Sequence, residues 1–404
     1  MRSYSSTIKA FLLLYFCGMV LVHAGIVWRS RELIRKGFPD FGIYYCAGAV
    51  ARQGQADHFY DNRTIFAVEQ QFAQDVPLFR RSLLYTHPPF EALLFLPFSN
   101  FSYVTAYVLW GVLNLILLAC VPVLLRPHLP ALQSYPAWLW VLAMLAFFPT
   151  FYALLEGQDA IVFLFFCSLA FVELKRERWA IAGMWLALGL FKFHLVLPVL
   201  LLLLVQKKWK MLIGFLPEAA ALGLLSLFMV GLTAARAYPH FVLHVESQLT
   251  GTQTVPSDMP SLRGLSYLLL HDATGPLLWT ATSAVLLFAA WKCFGGDRET
   301  LDLTFALALV TSALIGYHVV SYDLSMLMLA IFLLINHLLE YGNQNRWSAI
   351  AILVAIVVFF SPLPMLLAFR FNRFAMVSWI LIALFAGISG QLSAAKQKLG
   401  RVSL

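Results

Sequence analysis

Five short stretches hold most of the side chains that could do chemistry in this chain. The first, "FPDFGIYYCAGAVARQGQADHFYD" (38–61), sets Asp40 directly ahead of Ile43, Ala47, Val50 and Ala51. That spacing marks one face of a helix, and Gly54 suits its stop. Tyr44 and Tyr45 fall in the first turn, and Tyr44 shares a face with Gly48, where a backbone can approach closely. Asp40 can serve as an N-cap accepting backbone N–H groups, or as a general base held at the same helix start. In "LYTHPPFEALLFLPFS" (84–99), His87 and Glu91 stand four apart behind Pro88 and Pro89. This is either a plain connector or the wall of a polar cavity. "LLEGQDAIVFLF" (154–165) places Glu156, Gln158 and Asp159 in a tight turn, where Asp159 can cap the next helix. "LALGLFKFHLVLP" (186–198) sets Lys192 and His194 among apolar residues. A lysine there must snorkel to water or meet an anion such as phosphate. In "IGYHVVSYDLSML" (315–327), Asp323 can cap a helix, while His318 has no evident structural duty.

The elements that must position these residues are membrane helices. Of 404 residues, 61% are hydrophobic and only 12% charged, a balance that no soluble domain of this size sustains. Apolar runs fall near 8–28, 101–125, 136–154, 159–174, 179–191, 193–206, 209–231, 275–293, 300–316, 323–340, 347–361 and 373–390. Several are shorter than the roughly 20 residues of a straight span, and Pro198, Pro217, Pro362 and Pro364 suit kinks. The expectation is one all-α polytopic domain over residues 1–404, with about 10–13 transmembrane helices and two long extracytoplasmic loops, 29–88 and 232–274. The first loop is expected to carry an amphipathic helix lying at the interface, and the N-terminal apolar stretch reads as a retained anchor.

Lys and Arg outnumber Asp and Glu by 28 to 20. Most of these cations lie in short loops that alternate with apolar runs, the pattern of inside-facing loops rather than of a nucleic-acid surface. Both termini then lie inside, and the five chemical stretches fall on the opposite, extracytoplasmic face. The five cysteines are scattered without CxxC or metal spacing. No HExxH, GxSxG, phosphate loop or dinucleotide fingerprint is present. No metal site and no cofactor are read from the spacing, and the absence of a DxD pair disfavours a metal–nucleotide-sugar donor.

The order "DFGIYYCAGAVARQGQADHFYD", "YTHPPFEALLFLPF", "LWGVLNLILL", "LLEGQDAIVFLFF" and "AGMWLALGLFKFHLVLPVLLLL", spanning about 38–205, resembles glycosyltransferase family 87. "PSLRGL" and "SYDLSMLML" carry a thinner likeness beyond residue 232. The resemblance implies a GT-C-type helical bundle in the cell inner (plasma) membrane. It further implies an inverting transfer of a hexose, chiefly mannose, from a polyprenyl-phosphate-linked donor to a hydroxyl of a lipid or glycan acceptor. It maps the family's catalytic aspartate onto Asp40, a late-loop histidine onto His318 and a lysine onto Lys192. Arg263 offers a second cation for the departing phosphate. Tyr44, Tyr45, His87, Gln158 and His194 would line the substrate site. Rival readings are a flippase of lipid-linked saccharides, a related transferase acting on another sugar, and a catalytically silent scaffold.

Overall fold

A computed structural model describes residues 2–73, 84–205, 209–248, 256–270, 274–293, 300–342 and 344–402. Residues 74–83 of the first long loop, and 249–255 and 271–273 of the second, lie outside the described residues. The described chain is helical throughout. In order its helices are α1 (Arg2–Arg35), α2 (Phe41–Arg52), α3 (Asn62–Glu69), α4 (Ala92–Phe95), α5 (Tyr103–Leu125), α6 (Ala137–Ala146), α7 (Phe148–Glu156), α8 (Ala160–Lys175) and α9 (Trp179–Leu188). They continue with α10 (Phe193–Val205), α11 (Met211–Gln248), α12 (Leu262–Leu269), α13 (Gly275–Cys293), α14 (Leu301–Ile315), α15 (Leu327–Tyr341), α16 (Arg346–Phe360), α17 (Leu363–Phe369) and α18 (Ser378–Val402).

Among the described residues, seven helical stretches are long and apolar enough to cross a membrane, or up to nine if each bent pair counts as one span. The bends separate α6 from α7 by 74° and α16 from α17 by 51°. The second break falls at Pro362, where a kink is expected. The first instead sits at Phe147, whose extended backbone is the N-cap of α7, with Pro149 in that helix's first turn.

One of the seven, Trp179–Val205, passes by length yet cannot be straight. Gly183 of α9 abuts Met211 of α11, and Gly214 abuts Ala180. A continuous helix would carry Val205 about 40 Å from Trp179, and the six steps from Val205 to Met211 cover at most ~21 Å. A Cβ on Gly189 would also lie 3.2 Å from Val196, whereas two turns of unbroken helix separate such residues by about 10 Å. The chain therefore doubles back through the 3₁₀ turn Gly189–Lys192. α9 and α10 are two antiparallel elements, as the separate runs 179–191 and 193–206 suggest.

This hairpin defines the two ends of the bundle. At one end, Lys175 pairs with Asp302, Asn336 donates to Asp302 at 3.2 Å, and Lys396 reaches the Lys292 carbonyl at 3.1 Å. The turn at Lys192 marks the other end, where the chemical residues gather. Buried α14 and α15 form the centre of the core, consistent with helices that meet protein rather than lipid on most sides.

Two expectations about the long loops change. α2 does not lie half-exposed at an interface: Phe41, Tyr44, Cys46, Ala47, Gly48, Ala49 and Val50 are all buried. At Gly48 a Cβ would sit 2.7 Å from the Phe95 carbonyl oxygen, so α2 lies backbone to backbone against α4. In the second loop, α11 continues as helix to Gln248 with a break at Gly231. Much of 232–274 is therefore an extension of a span.

Candidate active site

The turn after α7 builds the floor of the site. Gly157 adopts φ +64, the left-handed conformation that ends a helix and favours glycine. A side chain there would also strike Phe41, with 2.7 Å left for a Cβ. Trp110 Nε1 donates to the Gly157 carbonyl at 2.9 Å, and Tyr107 donates to that of Leu155 at 2.8 Å. The turn is thus clamped between α5 and the start of α2, and that clamp brings Gln158 to Asp40.

Asp40 occupies the N-cap position of α2, but its side chain makes no capping bond. The capping reading is thereby corrected. Its Oδ2 instead accepts from Gln158 Nε2 at 2.9 Å, and its backbone N–H donates to Glu156 Oε2 at 3.1 Å. Gln158 is only 2% exposed, whereas Asp40 is half-buried. A buried amide therefore aims a carboxylate that still meets solvent, an arrangement suited to taking a proton from an incoming hydroxyl.

The same amide leads inward. Tyr44 Oη donates to Gln158 Oε1 at 2.6 Å and stands 3.4 Å from His87 Nε2. His87 Nδ1 lies 2.7 Å from Glu91 Oε2. Tyr60, Tyr85 and Tyr238 fix the 85–91 segment by donating to the carbonyls of His87, Pro88 and Thr86. The extended Pro88 and the helix-starting Pro89 then turn Glu91 into the protein, where it is fully buried. His87 keeps 22% of its side chain exposed. Burial of the imidazole still outweighs the pull of Asp159, and its pKa is pushed down to about 4, so the ring is neutral near pH 7. Burial first, and the charge of Asp159 second, push Glu91 well above the usual carboxylate range. For Asp159 burial alone would do the same, but the Lys192 ammonium, helped by His87, more than offsets it and holds the pKa below the ordinary value.

Lys192 neither snorkels nor stands free to meet a phosphate. It is 3% exposed and ion-pairs with Asp159 at 2.7 Å and Asp323 at 2.8 Å. Asp159 makes no side-chain capping bond. Asp323 does cap, accepting from the Val320 N–H at 2.8 Å. Lys192 also lies 5.5 Å above the Tyr322 ring, and Tyr322 feels the charges of Asp40, Asp323 and Asp159. His194 and His318 lie within electrostatic reach of His87 and of each other. Arg263 donates to the Tyr317 carbonyl at 2.9 Å and stacks 4.1 Å from that ring's centre, one residue from His318. Tyr45 belongs elsewhere: its hydroxyl donates to the Phe101 carbonyl at 2.8 Å, and its ring packs on Phe72 and Tyr103.

The structure thus joins Asp40, Tyr44, His87, Gln158, Lys192, His194 and His318 in one cluster, with Arg263 beside it. It bears out Glu91 as the wall of a polar cavity and adds Tyr322 together with Asp159 and Asp323, for which the sequence suggested a capping role. The sequence signal was the burial cost of Lys192, which required carboxylate partners at that depth. His87, Glu91 and Asp159 also place one ligand atom each within 4.8 Å of one another, a grouping that positions 87, 91 and 159 conceal in the sequence.

A family model described as glycosyltransferase family 87 matches residues 85–321, more than half of the chain. The match contains His87, Glu91, Asp159, Lys192, Arg263 and His318, while Asp40 precedes it and Asp323 follows it. No curated protein and no solved structure matches the chain significantly.

Proposed function

The chain belongs to glycosyltransferase family 87, and we propose that it moves a hexose, mannose in the first instance, from a polyprenyl-phosphate donor to a hydroxyl of a lipid or glycan acceptor, with inversion, on the extracytoplasmic face. The carrying observation is the Asp40 carboxylate, released from capping duty and oriented by Gln158. As base it accepts the acceptor's proton while the oxygen attacks the anomeric carbon. The sugar–phosphate bond breaks on the opposite side, and the phosphate departs without needing a proton. One carboxylate suffices, because inversion uses no covalent sugar intermediate. Positioning and phosphate stabilisation supply the remaining acceleration.

The orientation is supported by the distribution of charge. The end away from the site carries Arg126, Lys175, Arg176, Arg178, Lys292 and Lys396 near its polar contacts, as cytoplasmic loops do. The site at the other end then meets the lipid headgroups where a polyprenyl phosphate keeps its charge. Lys192 is already outnumbered by two aspartates, so Arg263, close to His318, is the cation better placed for the departing phosphate.

The test is Asp40→Asn, assayed with a labelled polyprenyl-phosphate hexose. Turnover falls by about 10²–10⁴-fold, the share a positioned base supplies, while free polyprenyl phosphate stops accumulating. Turnover near that of the unaltered protein would remove Asp40 from the mechanism. A labelled lipid that crosses the bilayer intact would favour the flippase instead.

A further inference from the structure

The residues behind the candidate base present a binding problem of their own. Glu91, Asp159 and Asp323 carry three formal negative charges around one ammonium, that of Lys192, and all four side chains are almost wholly buried. Lys192 engages Oδ1 of both aspartates. Oδ2 of Asp323 takes the Val320 N–H. Glu91 and Asp159 meet carboxyl to carboxyl, with His87 and Lys192 as their other close polar neighbours. Burying two acids against each other is costly.

The contact between His87 and Glu91 is informative. Nδ1 and Oε2 form an ion pair at 2.7 Å, which brings an imidazole nitrogen and a carboxylate oxygen to the same point of the cluster. Ligands held at about 2.0–2.4 Å from one cation stand roughly 3–4.8 Å apart, and the three ligand atoms of His87, Glu91 and Asp159 lie within 4.8 Å.

We propose that His87, Glu91 and Asp159 form a divalent-cation site, suited to a metal that accepts one imidazole and two carboxylates, such as Zn²⁺ or Mn²⁺. The cation offsets the negative charge that Lys192 leaves unbalanced. It binds through the Asp159 and Glu91 carboxyl groups and His87, whose partial exposure gives the ion its way in from the end of the bundle. The ligand set is tied to Asp40 through Tyr44 and Gln158. Resting on the transfer reading above, the cation is the group that makes this acid-rich pocket tolerant of a lipid phosphate.

The site is tested on full-length protein purified in detergent, stripped with chelator, dialysed against Zn²⁺ or Mn²⁺ alone, and freed of loose metal by gel filtration. Elemental analysis should find about one metal per chain, with affinity reduced roughly tenfold or more in His87→Ala and in Glu91→Gln. Asp302→Asn, at the opposite end, should bind as the unaltered protein does. Glu91→Gln is isosteric and His87 is partly exposed, so at least one variant should remain monodisperse. No retained metal, or equal binding in both site variants, overturns the proposal and leaves Glu91 as a buried protonated acid. Binding is read without turnover. A chain that transfers sugar but holds no metal refutes the cation site alone, and one that holds metal without transfer refutes the function alone.

Discussion

Gln158→Leu isolates the orienting bond from the proposed base itself. The substitution keeps the side chain's approximate volume in a position that is 2% exposed, but removes the 2.9 Å bond to Asp40 and the 2.6 Å bond from Tyr44. A hydrogen bond to a charged group contributes about 1.5–3 kcal/mol, which in an activation barrier corresponds to roughly 10–150-fold in rate. Asp40 is half-buried, so water can replace part of what the amide supplies, and the lower end, about tenfold in kcat, is the expected loss. The assay is release of labelled polyprenyl phosphate at saturating donor, so that weakened binding does not enter. Asp40→Asn as a second mutation closes the cycle. With the base already gone there is little left to orient, and Gln158→Leu should then cost less than about twofold. If the double variant instead loses the product of the two single effects, Gln158 acts through the fold and the orienting argument is wrong.

Two further outcomes concern the frame. Lys192→Met leaves Asp159 and Asp323 facing each other in a buried site, and removing one partner of such a network costs about 3–5 kcal/mol, or roughly 4–6 °C in Tm for a chain of this size; a melting curve in detergent that matches the unaltered protein would mean that these ion pairs contribute nothing. Gly48→Ala forces a Cβ to within 2.7 Å of the Phe95 carbonyl, an overpacking expected to cost about 1–3 kcal/mol, whereas Gly111→Ala, with nothing within 4 Å of its Cβ, should melt unchanged.

The sequence was most legible where a single segment determines the outcome. Apolar runs gave the helices, and even the division of 179–206 into two elements was readable, because Gly189 and Lys192 interrupt an otherwise uniform stretch. The start of α2 was readable to within two residues, Phe41 against Ile43, and the close approach at Gly48 followed from the missing side chain. What failed depended on partners distant in the chain. Asp40 looked like a cap because caps are local, and it lost that role to Gln158, 118 positions away. Lys192 invited either water or phosphate because its neighbours in sequence are apolar. Its actual partners lie 33 residues before it and 131 after it, where Asp159 and Asp323 looked like helix caps. α2 looked interfacial because its one-sided pattern says nothing of α3 and α4 closing over it.

The correction at Lys192 changes the electrostatics of the whole site. A free lysine would make the pocket cationic and ready for a phosphate; a lysine held by two aspartates, with Glu91 behind them, leaves it acidic. A lipid phosphate approaching Asp40 would then meet net repulsion, although the proposed transfer needs that phosphate to be stabilised as it leaves. Two features can reverse the sign: Arg263, poised on Tyr317 next to His318, and the proposed cation at His87, Glu91 and Asp159. They rest on different side chains and are therefore separable. Loss of Arg263 should weaken donor use at every metal concentration, whereas loss of His87 should weaken it only where metal is present to be bound. A common response to both would mean that one phosphate site has been described twice.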